Sequence, residues 1–125
     1  MTDTERRERK EKIAGLVSAL RKEKLGKAPD RIEVTLVGFM VVISYHGNLT
    51  PVERFICQTP SGRETVRNAR TELIKKIYTD ERPVQLERIV DANFVEIFSD
   101  INVEKDWAMT VFVFDRPVDG TVETK

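Results

Sequence analysis

Three arginines repeat along one predicted helix at positions i, i+4 and i+7, namely Arg63, Arg67 and Arg70. At 3.6 residues per turn, their side chains lie within about 60° of one another on the helix surface. Guanidinium groups bind carboxylates and phosphates through paired N–H donors. Ser61 lies at the predicted helix N-terminus, where the helix dipole also favours an anion. The spacing therefore predicts a binding site for a small anion or for an acidic peptide of a protein partner.

A structural interpretation of the same arginines remains open. Arginine side chains often lay their aliphatic stems over the core while the charged head stays at the edge of the helix. The sequence offers four carboxylates with which such heads could pair, on Glu53, Asp91, Glu96 and Asp100. Under this interpretation, substitution of the arginines changes stability and leaves ligand affinity unaffected.

Other reactive residue types lack the partners that catalysis requires. The segment Asp100–Glu104 has the alternating acidic spacing of a calcium loop, but Lys105 stands where the sharp turn of that loop needs glycine. His46 is the only histidine and Cys57 the only cysteine. The sequence also contains no phosphate loop, nucleophile elbow or zinc-ligand set. We therefore expect no catalytic residue, no metal and no cofactor, and a protein that is not an enzyme.

The elements that must position these residues alternate between helices and strands. Ile13, Leu16, Val17 and Leu20 have helical spacing, whereas the last two predicted strands are rich in aromatic and β-branched residues. In chain order, we expect a helix over 4–25, a β-hairpin over 31–46, a short helix beginning at Thr50, helices over 61–78 and 83–91, and strands over 93–101 and 107–114. This α-β-β-α-α-α-β-β order predicts an α+β two-layer sandwich, with a four-stranded, largely antiparallel sheet and helices on one face.

The hairpin has an internally consistent register. Gly38 can occupy the first position of a type II′ turn with Phe39 in the second. This turn pairs Leu36 with Val41, Val34 with Ile43, and Ile32 with Tyr45, so that six apolar side chains share one face. A slip of one residue would mix the two faces, and the register is therefore well specified.

The short helix from Thr50 carries several start signals. Thr50 is a good N-cap, a proline follows in the first helical position, and Glu53 completes a capping box. Val52, Phe55 and Ile56 then have helical spacing, which predicts that this helix buries one apolar stripe.

The second face of the sheet is also predicted to be apolar. We assign Phe39, Met40, Val42, Phe112 and Phe114 to an exposed interface, because large uncovered apolar patches usually mark contact surfaces. This predicts a homo-oligomer, most simply a dimer. Coverage of this face by crossed helices or by the C-terminal tail is the open alternative.

The composition bounds the class of protein. The chain has 125 residues, equal numbers of basic and acidic groups, 40% hydrophobic residues and 34% charged residues. These values fit one domain over 1–125, with a charged helix start over 1–12 and a frayed tail over 116–125. Zero net charge argues against nucleic-acid binding, and no segment has the ~20 predominantly apolar residues that membrane insertion requires. The single cysteine and the absence of a leader segment predict a cytoplasmic location.

Four segments, taken in order and spacing, resemble one family. They are Gly26-Lys27-Ala28-Pro29, Gly47–Glu53, Gly62-Arg63-x-x-Val66-x-x-x-Arg70, and Asp100 ahead of a strand that ends in Phe112-Val113-Phe114. Together they are similar to the MpsC-like family of small bacterial domains, over residues 10–115.

The resemblance implies a soluble domain associated with a sodium-translocating system that generates a membrane potential, and it supplies no catalytic residues. A chain without a membrane span cannot itself move sodium across a bilayer. The resemblance therefore implies a peripheral part, with a membrane protein as the possible partner. We predict an accessory or regulatory domain that binds a protein; the alternative is a small-anion-binding or enzymatic domain that uses Arg63, Arg67 and Arg70.

Overall fold

A computed structural model describes residues 1–121 and places helices on one face of a four-stranded sheet. The elements are α1 (Asp3–Leu25), β1 (Arg31–Val37), β2 (Met40–His46), α2 (Pro51–Ile56), α3 (Pro60–Asp80), α4 (Val84–Val90), β3 (Phe94–Asn102) and β4 (Trp107–Phe114). The predicted α+β class and element order are confirmed.

The sheet is antiparallel throughout, with the strand order β1-β2-β4-β3. The predicted hairpin register is confirmed, because Val34 faces Ile43 and Leu36 faces Val41. Gly38 has a φ of 57°, while Phe39 keeps a negative φ, which is the sign pattern of a type II′ turn. The strand order places β2 and β4 at the centre of the sheet. Successive side chains along these two strands point alternately to the two faces of the sheet.

The core lies between the helices and one face of this sheet. On that face, α1 packs against β1 and α4, whereas α3 packs against β3 and α2. The fully buried side chains include Ile13, Val41, Ile43, Tyr45, Phe112 and Phe114.

Phe112 and Phe114 correct the interface prediction. Val41 faces Phe112 across the β2–β4 pair, so Phe112 shares the core face with the buried half of the hairpin. The exposed fractions of Phe112 and Phe114 are 0% and 1%, and their assignment to an exposed interface is wrong. Met40 and Phe39 are exposed as expected, and Val42 is half-buried on the uncovered face.

A β-bulge changes which side chains of β3 face the core. Strict alternation would place Phe94 and Phe98 on the same side. The register between β3 and β4 shifts between Phe94 and Glu96, so Val95 is the additional residue. As a result, Phe94 and Ile97 both contact the core, while Phe98 is exposed on the opposite face.

Helix α2 buries none of its side chains. Val52 and Phe55 are 68% and 72% exposed, and Ile56 is 39% exposed. The predicted buried stripe on this helix is therefore wrong. The Thr50 capping box forms as predicted, so polar contacts rather than an apolar face hold α2 in place.

The segment after β4 packs against the hairpin turn and α1. Val118 is completely buried, and its N–H donates to the Gly38 carbonyl at 2.8 Å. The Gly38 N–H in turn donates to the Asp119 carboxylate at 2.6 Å. Hydrogen bonds from Thr121 and from this Gly38 N–H lower the pKa of Asp119 to about 2.

The charged N-terminal part of α1 also contacts this segment after β4. Arg6 donates to the Asp119 carbonyl at 2.7 Å, and Arg9 donates to the Val118 carbonyl at 2.9 Å. The prediction of a frayed tail over 116–125 is therefore wrong for the part up to Thr121. Residues 122–125 lie outside the described part of the chain.

Replacement of Val118 tests whether this segment belongs to the core. Val118→Ala removes two buried methyl groups, and we expect it to lower the free energy of unfolding by about 2 kcal/mol. Val95→Ala is the matched control, because this valine is 58% exposed, and its effect should stay below about 0.5 kcal/mol. Urea denaturation of both variants measures the difference. Equal stability of the Val118 variant and the wild type would contradict the packed segment.

Candidate functional site

The N-terminus of α3 begins one turn from the end of α2. Thr59 is the N-cap, and its hydroxyl accepts a hydrogen bond from the Gly62 N–H at 3.0 Å. A Cβ on Gly62 would overlap the Ile56 carbonyl, so glycine permits the close approach of the two helices. Ser61 is exposed, and its hydroxyl lies 3.4 Å from that of Thr59. Ser61 therefore lies beside the capping hydroxyl of Thr59 and forms no hydrogen bond with any of the three arginines.

Arg70 is buried and forms the strongest polar contact of the region. Its Nε donates to Glu53 Oε2 at 2.7 Å, and its Nη2 donates to Glu53 Oε1 at 2.6 Å. The same Nη2 donates to the Asn48 carbonyl at 2.8 Å. The side chain of Arg70 is only 5% exposed, against 21% for Glu53. The pairing with Glu53, which the structural interpretation of the sequence predicted, is present as a two-point ion pair.

The other two arginines contact different carboxylates. Arg67 is exposed and pairs with Asp100, with an Nε–Oδ1 distance of 3.2 Å. Arg63 donates to the Cys57 carbonyl at 3.1 Å and lies 3.6 Å from a Glu104 oxygen. The three guanidinium groups therefore share one face of α3, as the spacing predicts, without converging on a common anion site.

Asn48 and Asp106 extend the Arg70–Glu53 pair to the end of the sheet. One Asp106 carboxylate oxygen accepts the N–H groups of Asn48 at 2.7 Å and Leu49 at 3.1 Å. The Asp106 backbone adopts a left-handed φ of 48°, which asparagine and aspartate tolerate best among non-glycine residues. Sequence analysis did not identify Asp106, because no local pattern connects it with Asn48, 58 positions earlier in the chain.

The electrostatics of this network favour a structural role. Burial opposes ionisation of Glu53, but hydrogen bonds from Arg70 and Thr50 keep the pKa of Glu53 below its ordinary value. Partial burial and the carboxylates of Glu53 and Asp106 raise the pKa of the Cys57 thiol. A carboxylate held ionised is a poor general acid, and a thiol held neutral is a poor nucleophile.

A shallow groove of about 610 Å³ lies beside this network. Arg54 and Arg63 line it together with Glu104 and Asp106, so its two signs of charge balance. Such a lining creates no strong field for an anionic ligand. The described residues, 1–121, contain no group of metal-ligating side chains that could hold an ion. Within the same range, no helix has the length and hydropathy to cross a membrane.

The uncovered face of the sheet carries apolar side chains from all four strands. We define it by its outward-pointing apolar residues: Val37, Met40, Val42, Phe98, Trp107, Met109, Val111 and Val113. Trp107 stacks on His46, with ring centroids 5.5 Å apart, and donates its indole N–H to Ser44 at 2.7 Å. These contacts hold the largest side chain of the face in one orientation, which suits a contact surface.

Replacement of Arg70 tests the importance of the buried pair. Arg70→Met keeps the aliphatic stem but leaves Glu53 without its partner. Breaking a buried ion pair in this way is expected to cost about 3–5 kcal/mol of unfolding free energy. Arg67→Met is the matched control on the same helix and should have only a small effect, because its ion pair is exposed to solvent. Urea denaturation at neutral pH measures the stability of both variants. Equal losses of unfolding free energy would contradict the distinction between the buried and the exposed ion pair.

Comparison with known proteins identifies relatives over most of the chain. A family model described as "Na+-translocating membrane potential-generating system (MpsC)" matches residues 5–116. The uncharacterized protein YrhF of Bacillus subtilis (strain 168) is 45% identical over 108 residues, which span 86% of this chain and 88% of the relative. No solved structure matches significantly. Because the family match includes the Arg70–Glu53 network and all four strands, the chain belongs to the MpsC family.

Proposed function

We propose that this MpsC-family protein is a cytoplasmic, non-enzymatic accessory domain that dimerises through the uncovered face of its sheet. The observation that supports this proposal is the exposure of apolar side chains on this face. Phe98 is 61% exposed, and Trp107 and Met109 on the neighbouring strand are 39% and 40% exposed. Contiguous apolar patches on a folded domain usually mark protein–protein contacts.

The dimensions of the face fit a second copy of the same sheet. Its strands have seven to nine residues, and four of them at the usual spacings cover about 20 Å by 25 Å. Two such faces packed ~10 Å apart would together remove more than about 1,000 Å² of accessible surface from water. This area reaches the lower bound for a stable biological interface.

The charges around the face also allow self-association. Four of its charged edge residues form ion pairs within the chain, Arg31 with Glu33 at 3.3 Å and Asp100 with Arg67 at 3.2 Å, and Glu96 on β3 is an exposed charge without such a pair among residues 1–121. The net charge of the chain is zero, so two copies do not repel each other over long distances.

Light scattering after gel filtration tests the dimer. At tens of micromolar, we expect a mass twice the 14.4 kDa of one chain. Met109→Lys places a charge on the central strand of the uncovered face and should give the monomer mass, because a buried, unpaired charge in an interface is costly. Val52→Lys is the matched control on α2 and should remain dimeric. A monomeric wild type, or a Met109 variant that stays dimeric, would contradict the proposal.

The family description supports a second part of the proposal, which concerns the partner. We propose that the dimer docks on an integral membrane protein of an ion-translocating system. Such a peripheral role needs an apolar surface that remains free in the dimer. The exposed stripe on α2, formed by Val52, Phe55 and Ile56, lies on the helix side of the sheet and meets this need.

Affinity capture from detergent-solubilised membranes of the protein's own cells tests this partner. We expect the tagged wild type to retain an integral membrane transport protein and Phe55→Asp to lose it. Val84→Asp is the control, because Val84 is also exposed, at 45%, but lies on α4. If mass spectrometry finds no membrane transport protein, or finds it equally with the Phe55 variant, the docking surface is wrong. The dimer can still be measured separately.

A further inference from the structure

Strand β3 is an outer strand of the sheet and pairs with β4 on one side only. Hydrogen bonds alternate along an antiparallel pair, so every second residue of β3 bonds to β4. Because the Asp115 N–H donates to the Asn93 carbonyl at 3.0 Å, the odd-numbered residues of β4 bond to β3. Their partners in the register have even numbers, so the N–H groups of Ile97, Ser99 and Ile101 point away from the sheet.

Two of these outward N–H groups are bound by the carboxylate of the preceding residue. The Ile97 N–H donates to Glu96 Oε1 at 2.9 Å, and the Ile101 N–H donates to Asp100 Oδ1 at 2.8 Å. These are the distances of an ordinary N–H···O=C bond between strands. Each carboxylate oxygen therefore occupies the position of the carbonyl oxygen that an added strand would bring. Only the N–H of Ser99, between them, has no such side-chain acceptor among residues 1–121.

The Asp100 side chain bends around the edge of the sheet. Phe98, two residues earlier, is exposed on the uncovered face, so strand alternation starts the Asp100 side chain on that same face. Its carboxylate is nevertheless bound by Arg67 of α3, which lies on the helix side, with distances of 3.2 Å from Nε to Oδ1 and 3.3 Å from Nη2 to Oδ2. The carboxylate therefore lies beside the edge of β3, and the Arg67 guanidinium group holds it there.

The other outer strand, β1, has no such carboxylate contacts. The two-residue turn bonds Val37 to Met40, so the N–H groups of Ile32, Val34 and Leu36 point away from β2. Among residues 1–121, no side chain accepts a hydrogen bond from these three groups. If both outer edges were open, β3 of one molecule could add to β1 of the next, and such head-to-tail contacts do not close into a finite assembly. A closed β3 edge is enough to prevent this growth.

We propose that Glu96 and Asp100 close the β3 edge to strand addition, with Arg67 as the positioning residue, and that a second copy of this chain adds to the edge once the carboxylates are removed. A strand that adds to β3 must displace both carboxylates and break the charge-assisted bonds of Asp100 to Arg67. The carboxylates also repel the carbonyl oxygens of an approaching strand. Strand addition extends the sheet in its own plane, so the inference does not rest on the proposed dimer, which packs sheets face to face.

Light scattering over a range of protein concentrations tests the proposal on a double variant, Glu96→Ala with Asp100→Ala. At tens of micromolar, we expect its mass to exceed that of the wild type by at least about twofold and to keep rising with concentration, because an open edge adds strands without closure. Arg67→Ala should give a smaller increase, since Asp100 then loses its partner on α3 but keeps the Ile101 N–H.

The matched control is a second double variant, Glu33→Ala with Glu104→Ala. It removes the same two negative charges from exposed side chains, which form ion pairs with arginines. Neither of these carboxylates accepts a backbone N–H among residues 1–121, so the control should keep the wild-type mass. An effect of net charge alone would appear equally in both double variants.

Amide hydrogen exchange of the wild type, followed by NMR, is a second measurement that needs no variant. Relative to their intrinsic rates, the Ile97 and Ile101 amides should exchange more slowly than the Ser99 amide, because a carboxylate holds each of the two. Equal protection of the three amides, an unchanged mass of the Glu96/Asp100 variant at every concentration, or the same gain in the control would each overturn the closed edge. A monomeric wild type contradicts the dimer but leaves this comparison of masses intact.

Discussion

The Arg70–Glu53 ion pair is the contact on which the arrangement of α2, α3 and the loop after β2 depends. Arg70 belongs to α3 and Glu53 to α2, and the same guanidinium group donates to the Asn48 carbonyl in the loop. Asn48 is connected through Asp106 to the turn between β3 and β4. Because α2 buries none of its side chains, the hydrophobic effect contributes little to its position. The Arg70–Glu53 ion pair therefore holds α2 against α3, while the capping box fixes only the start of the helix.

The distribution of charge and apolar surface is partly reversed relative to an ordinary domain. Two arginine side chains, Arg21 and Arg70, are largely buried, while Phe55, Phe98 and Trp107 are exposed. Buried charge and exposed aromatic surface both disfavour an isolated folded chain. Local rules are broken in this way mainly at functional sites. The buried arginines lie on the helix side of the sheet, as does Phe55 on α2, whereas Phe98 and Trp107 lie on the uncovered face.

Sequence reasoning succeeded where local chemistry decides the structure. The hairpin register followed from alternation around Gly38, and the Thr50 capping box followed from residue spacing. The prediction of which strand side chains face the core failed where contacts between residues far apart in sequence decide it. The bulge at Val95 and the pairing of Val41 with Phe112 depend on strand neighbours that no local pattern specifies.

The candidate site was also predictable only in part. Spacing identified the arginines of α3, and the carboxylates on Glu53 and Asp100 were among the expected partners. Arg21 gave no signal, because an arginine at the edge of an amphipathic helix is usually solvated. Its burial becomes visible only once the ring of Tyr45 is placed beneath it. Tyr45 lies on the inner face of β2, while its neighbours Ser44 and His46 face the outer surface, where they contact Trp107. Strand β2 therefore contributes alternate residues to the core and to the uncovered face, so a substitution on either side can shift contacts on the other.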